Sequence, residues 1–405
     1  MARIQPAPPE ADGFAPGTGR ARGRRAMRYA VPVAVAGVAA ATISLVPALA
    51  DAGAPSLPPV TAEQLLAKIA ASDTRALDGS VRITTDLGLP SVLSGGASGL
   101  LGGAAATGSG KDAGSPAAPQ TRLPGLLVGS HRLHVAVDGP DRQKLSVIES
   151  AAEYSVVHNG TQLWAYDSAS NQAYHRTLPR PAAGDRPEGQ LPEDFPATPQ
   201  AAARQILKAA DGTAAITVDG TASVAGHSAY QLLVTPRRAD ATTVGSVRIA
   251  VDSTTGVPLK FTLAPKGGGK AVVDIAFTKV SFTAPAASTF TYKPAKGVKV
   301  TGGAAAPDPT RKKRPGSSAE PTVVGSGWDA VAVVRTGAGL PAGGKADGKD
   351  ARSLLDGFGR RVSGSYGSGT LFHTRLVNAL LTDDGTLYVG AVTPSALTRA
   401  AGAAG

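Results

Sequence analysis

The strongest constraint on the fold is a run of period-two alternation between Val247 and Phe277. Val247, Ile249 and Val251 alternate with Arg248 and Ala250. Leu259, Phe261 and Leu263 alternate with Lys260 and Thr262, and Val273, Ile275 and Phe277 with Asp274 and Ala276. Successive side chains of a strand point to opposite faces, so each segment is a strand with one apolar and one wet face. The links STTG (253–256) and KGGGK (266–270) carry the glycines that hairpins need. Strands joined by such short links run antiparallel, and a sheet wet on one side is a meander, not a parallel sheet.

More strands flank this run. HRLHVAV (131–137), KLSVIES (144–150), EYSVVHNG (153–160), TQLWAYD (161–167) and QAYHRTL (172–178) follow one another, and GSVRITTDLG (79–88) precedes them. AAITVDG (214–220) and TASVAG (221–226) read as two short strands, and SAYQLLVTP (228–236) as a longer one. Two helices interrupt the pattern. In TAEQLLAKIAASD (61–73), Thr61 and Gln64 have capping-box spacing, and Leu65, Leu66 and Ile69 form a narrow apolar stripe. The second begins at Thr198-Pro199, with proline at the first helical position, and carries Ile206 and Leu207.

The glycines and prolines, 50 and 31 of 405 residues, concentrate in segments that read as linkers. Residues 90–122 read as a flexible Gly/Ala/Ser-rich insertion, 179–197 as a proline-rich loop and 301–320 as a basic Pro/Gly linker. Residues 321–400 then read as a small α+β module. Its parts are VVGSGWDAVAVV, a helical ARSLLDGFGRR (351–361), a hairpin from Leu371 to Val392 about TDDG, and a last helix from Thr393-Pro394.

The start of the chain indicates the compartment. A basic n-region, residues 1–28, precedes the uncharged run from Ala30 to Val46, and Ala48-Leu49-Ala50 is a small-x-small pattern. Residues 29–50 are thus a cleaved signal peptide or an uncleaved signal anchor, and the chain after Asp51 is extracytoplasmic. Of the formal charge of +11, six arginines against Glu10 and Asp12 account for the n-region's share, and Arg311-Lys312-Lys313-Arg314 adds four more charges. Basic blocks of this kind are solvated or touch anionic head groups, and nucleic acid is no expected partner. There is no cysteine, so neither disulfides nor thiolate chemistry is available.

Motifs for chemistry are scarce. His131 and His134 stand at i and i+3 on a strand and point to opposite faces. There is no HExxH and no GxSxG; GSGKD (108–112) has Asp112 where a phosphate-binding loop places Ser or Thr. Asp383-Asp384-Gly385 reads as a turn, and Glu149 with Glu153 as a solvated edge. No catalytic residue, metal ligand or cofactor is expected. Trp164 and Tyr166 share one strand face, opposite Leu163 and Ala165; they pack the sheet or its rim, or they face a ligand, while Asp167 and Asn171 cap the turn.

The order of elements resembles a known family. A hairpin of form N-G-x-x-x-W-x-Y-D-x-x-x-N-x-x-Y runs from Asn159-Gly160 through Trp164, Tyr166, Asp167 and Asn171 to Tyr174. After a helix come Asp219-Gly220, Gly226, Ala229-Tyr230-Gln231-Leu232, Pro236, Val247 to Asp252, and Thr255-Gly256-Val257-Pro258-Leu259-Lys260. Ala271 to Val280 and Phe290 to Val300 resemble a closing strand and its tail. Over 59–300 the sequence is similar to the LolA-type lipoprotein-carrier superfamily, which includes sigma-factor regulators resembling RseB and actinobacterial lipid-binding lipoproteins. The resemblance implies a mainly β (α+β) fold, a half-open antiparallel β-barrel covered by helices. It implies a cavity for lipid or lipoprotein acyl chains, or alternatively a membrane-protein partner such as an anti-sigma factor. Alternation then nominates as cavity-lining Leu65, Leu66, Ile69, Trp164, Tyr166, Tyr230, Val247, Ile249, Val251, Leu259, Phe261, Leu263, Val273, Ile275 and Phe277.

Overall fold

A computed structural model describes residues 54–88, 115–178, 198–210, 212–237, 239–302, 322–335 and 359–404. The basic n-region, the apolar run, most of the insertion, the 179–197 loop and the basic linker lie outside the described residues. Among the described residues no helix is long and apolar enough to cross a membrane.

The chain opens with helix α1 (Ala62–Ala70), whose capping box forms as expected: Gln64 N donates to Thr61 Oγ1 and Thr61 N to Gln64 Oε1. Next come strand β1 (Ala76–Thr85), a one-turn helix α2 (Pro119–Arg122) and a 3-10 turn (Leu123–Leu127). A meander follows: β2 (Gly129–Asp138), β3 (Arg142–Ile148), β4 (Glu153–Asn159), β5 (Gln162–Asp167) and β6 (Gln172–Thr177). Helix α3 (Pro199–Ala210) leads into a second meander of β7 (Ala214–Val224), β8 (His227–Pro236), β9 (Val244–Asp252), β10 (Pro258–Pro265) and β11 (Val273–Ser281). With β12 (Lys299–Gly302) these strands form one sheet in the order β12-β6-β5-β4-β3-β2-β1-β11-β10-β9-β8-β7. The two meanders join where β1 pairs with both β2 and β11. The sheet is not closed, and all its pairs are antiparallel except β12 with β6.

A second sheet, β13-β14-β18-β17-β16-β15, is fully antiparallel. Its strands are β13 (Thr322–Val324), β14 (Val331–Arg335), β15 (Arg360–Gly364), β16 (Gly367–Phe372), β17 (Asn378–Thr382) and β18 (Thr386–Gly390), followed by helix α4 (Pro394–Ala404). Half of the structure is strand and helices are few, so the α+β description fits only roughly.

Four local expectations need correction. Residues 115–122 do not belong to a flexible insertion: Ala117 and Ala118, just before α2, are fully buried in the main core, and Pro119 is buried at its start. Residues 214–226 do not form two strands, because Asp219-Gly220 is absorbed as a register shift inside one strand, with Gly220 at φ 87°. Residues 371–392 are not one hairpin. A turn at 374–377 breaks the first arm, held by Thr374, whose Oγ1 accepts from Leu376 N at 3.2 Å and Val377 N at 2.9 Å. Of the expected helix 351–361, residues 351–358 lie outside the described residues, and Arg360 and Arg361 begin a strand paired with β16.

Candidate functional site

One face of the large sheet is apolar almost from edge to edge. Register places Ile83, Ile275, Phe261, Ile249 and Leu232 side by side across five strands. A second row runs through Phe277, Val81, Leu133, Val147 and Tyr154. Gly79 makes room in this layer: a Cβ there would lie 2.8 Å from the Phe277 ring. Of the nominated residues, Leu65, Tyr230, Val247, Ile249, Val251, Leu259, Phe261, Leu263, Ile275 and Phe277 are buried in this one core; Leu66, Ile69 and Val273 pack against it half-buried.

Among the described residues, three separate pieces of chain cover the face. Helix α1 lies over β7 and β8. The extended segment before it is tied down by Thr221 Oγ1 donating to Pro55 O (2.8 Å) and Tyr230 Oη donating to Pro58 O (2.9 Å). Helix α3 lies over β10 and β11 through Ala202, Ala203, Ile206 and Leu207. The third piece is α2 with its 3-10 turn, which contributes Leu123 and Leu126. The far end of α1 meets the β9–β10 turn at Gly256, where φ is 74° and a Cβ would stand 2.5 Å from Lys68 O. Only glycine permits that approach.

Polar contacts hold the third piece in place. Arg122 on α2 reaches Asp167 Oδ1 at 3.3 Å and Glu149 Oε1 at 3.5 Å, and lies over the Tyr154 ring at 5.7 Å. Asp167 is buried and also accepts from Ser170 Oγ at 2.7 Å, so it both caps its turn and anchors α2. Tyr154 Oη donates to Ala117 O at 3.2 Å; burial pushes its phenol well above the ordinary range, partly offset by Arg122. Reading 90–122 as a linker hid Arg122, although the apolar LPGLL that follows it is a packing signal. Among the described residues no group of three metal-ligating side chains comes together.

Trp164 and Tyr166 stand apart from this set. Leu163 and Ala165 take the core side of β5, which leaves the two aromatics on the other face. There Trp164 stacks on His175, ring centroids 4.0 Å apart, and Tyr292 lies against both Trp164 (5.4 Å) and Tyr166 (5.6 Å). Asn159 Nδ2 donates to Phe290 O and Asn171 Nδ2 to Gly297 O, each at 3.2 Å. These residues clasp the tail that carries β12 to the sheet edge.

No protein-family model matches the chain, and no curated protein does. Solved structures match. The MucA/MucB complex of Pseudomonas aeruginosa is 17% identical, with a TM-score of 0.38 over 84% of this chain and 96% of that one. A LolA superfamily protein from Nitrosomonas europaea is 13% identical, with a TM-score of 0.21 over 58% and 99%. An outer membrane lipoprotein-sorting protein domain from Vibrio parahaemolyticus is 11% identical, with a TM-score of 0.21 over 56% and 97%. The chain is similar to proteins of the LolA superfamily and to MucB.

Proposed function

We propose that the protein is an extracytoplasmic, non-enzymatic carrier or sensor that takes lipid or lipoprotein acyl chains between the apolar face of its half-open sheet and the helices above it. The carrying observation is the cover itself. Three short pieces from distant parts of the sequence lie on one continuous apolar layer. Helix contacts of this kind exchange readily for acyl contacts, because each buried methylene is worth about 0.8 kcal/mol whichever side supplies it. Residues on both surfaces, Leu66 and Ile69 above and Phe261, Ile249 and Ile275 below, would line the opened space.

The test is native mass spectrometry of the full chain purified from a bacterial envelope, with lipid extraction of the same sample. A stoichiometric acyl-bearing ligand is the expected result. A protein that arrives empty and takes up no fluorescent fatty-acyl probe defeats the reading. A second reading, a regulator that binds the outer part of a membrane protein such as an anti-sigma factor, draws support from β13. That edge strand exposes Val323 and Val324. Loss of partner binding on deleting 321–405, with lipid retention intact, selects it.

A further inference from the structure

The face of the large sheet turned away from its covers is crossed at one corner by the chain that leaves β11. This strap, residues 282–302, makes a 3-10 turn (Ala287–Phe290) against β3 and β4 and ends as β12 beside β6. Phe290 is only 1% exposed yet belongs to neither the large core nor the small one. It fastens the strap to the outer face.

Beyond Phe290 the strap completes a patch of unusual composition. Tyr292 lies against Trp164 and Tyr166, Trp164 stacks on His175, and all four rings are half-buried rather than covered. Register sets Val300 beside Ala173, which pairs with Tyr166, so Val300 stands on the same face, 46% exposed. Along the strap Lys293, Lys296 and Lys299 are exposed, and 282–302 holds no acidic residue. Elsewhere on this outer face cations are matched, Lys260 with Asp274 at 3.1 Å and Arg248 with Asp219 at 2.9 Å. The three strap lysines enter no ion pair among the described residues.

We infer that this patch docks on the surface of an anionic lipid bilayer. Tryptophan and tyrosine rings, apolar in body and polar at the tip, settle at head-group level. Lysines beside them gain from the negative surface potential of anionic lipid. Val300 adds shallow apolar contact. A neutral bilayer gives the lysines nothing, and a soluble polyanion leaves the rings and Val300 in water. The patch lies on the opposite side of the sheet from the covered apolar layer, so the inference stands whether or not that layer takes acyl chains.

Other basic stretches of the full chain also meet anionic lipid, so the test needs a signal local to the patch, and Trp164 supplies it. The full chain is titrated with vesicles of phosphatidylcholine carrying brominated acyl chains, with or without phosphatidylglycerol, and tryptophan emission is followed. The Trp164→Phe protein, which keeps only the core residue Trp328, sets the background. The expected result is saturable quenching of Trp164 by the phosphatidylglycerol vesicles and little by the neutral ones. At about 0.5 M salt, where charges are screened within about 4 Å, the quenching should vanish. Lys293→Gln, Lys296→Gln and Lys299→Gln together should raise the lipid needed for half-quenching about tenfold or more. Should that triple variant melt lower, the salt effect on the parent still has to appear. Equal quenching by neutral vesicles, an unquenched Trp164 on vesicles that hold the protein, or a triple variant that titrates like its parent would overturn the assignment.

Discussion

The two sheets are covered in opposite ways. The twelve-stranded sheet is roofed by three short pieces drawn from residues 54–70, 115–127 and 198–210. The six-stranded sheet is roofed by the helix that directly follows its own β18, and its core of Val331, Val333, Leu371, Leu380, Tyr388, Val392, Leu397 and Ala401 is small and self-contained. A cover continuous with its sheet closes locally, at low loop-closure cost. A cover assembled from distant segments can leave one piece at a time, which suits a layer that must open. The largest expected effects therefore come from core truncation, which harms both sheets alike. Ile249→Ala and Leu380→Ala, at two fully buried positions, should each cost about 2–5 kcal/mol in urea unfolding. A loss near zero at Ile249 would mean that the large face is not packed as a core.

The next effect separates the two covers. Gly256→Ala adds a Cβ 2.5 Å from Lys68 O at a residue with φ 74°, so the β9–β10 turn must move off α1. A loss of about 1–3 kcal/mol is expected. Hydrogen exchange should then quicken in α1 while α4 keeps its protection. Equal quickening in both helices would contradict independent covers.

Joining the sheets comes third. Arg375, in the turn before β17, donates from Nη1 to Asp86 Oδ2 at 2.7 Å and from Nη2 to Lys270 O at 2.5 Å. Thr242 Oγ1 donates to Ala391 O at 3.0 Å, and Thr243 Oγ1 donates to Leu376 O. Arg375→Ala removes the charged part of this seam, and a loss of about 1–2 kcal/mol is expected. Calorimetry should then show the two sheets unfolding further apart in temperature than in the parent. An unchanged separation would mean that the threonine contacts suffice.

Sequence revealed the strands well because alternation is local: Val247 to Val251, Leu259 to Leu263 and Val273 to Phe277 all formed strands as written. The capping box at Thr61 was legible for the same reason. What stayed hidden depends on distant partners. Alternation divides β5 into two faces without saying which one is inside, and tertiary packing gave that side to Leu163 and Ala165 rather than to Trp164 and Tyr166. Arg122 finds its role through Asp167 and Glu149, 45 and 27 residues away. The turn at Thr374 carries no glycine or proline, and its threonine hydroxyl does the work those residues usually signal.

The smallest effect is one of pH, and it should fall in a different window for each sheet. His158, buried in β4, donates from Nε2 to Gly160 O at 2.7 Å and has no partner at Nδ1. Burial holds its pKa below the ordinary 6.5, against smaller opposing pulls from Gly160 O and Asp141. The folded state thus binds fewer protons than the unfolded one; stability is full above about pH 6.5 and drains as pH falls through the folded value. In the second sheet, Asp384 is held below its ordinary 3.8, first by the Thr382 hydroxyl and then by Thr386 N. Its contribution is present above about pH 3.8 and is lost only as pH falls further. Because Asp384 is largely exposed, solvent screening keeps that contribution small. Melting temperature followed from pH 7.5 to 3 should therefore fall in two steps. His158→Gln should flatten the upper step alone, and Asp384→Asn the lower step alone. If either substitution flattened both, the sheets would be titrating as one body, and the contrast between a cover built to open and a cover built to stay would lose its energetic basis.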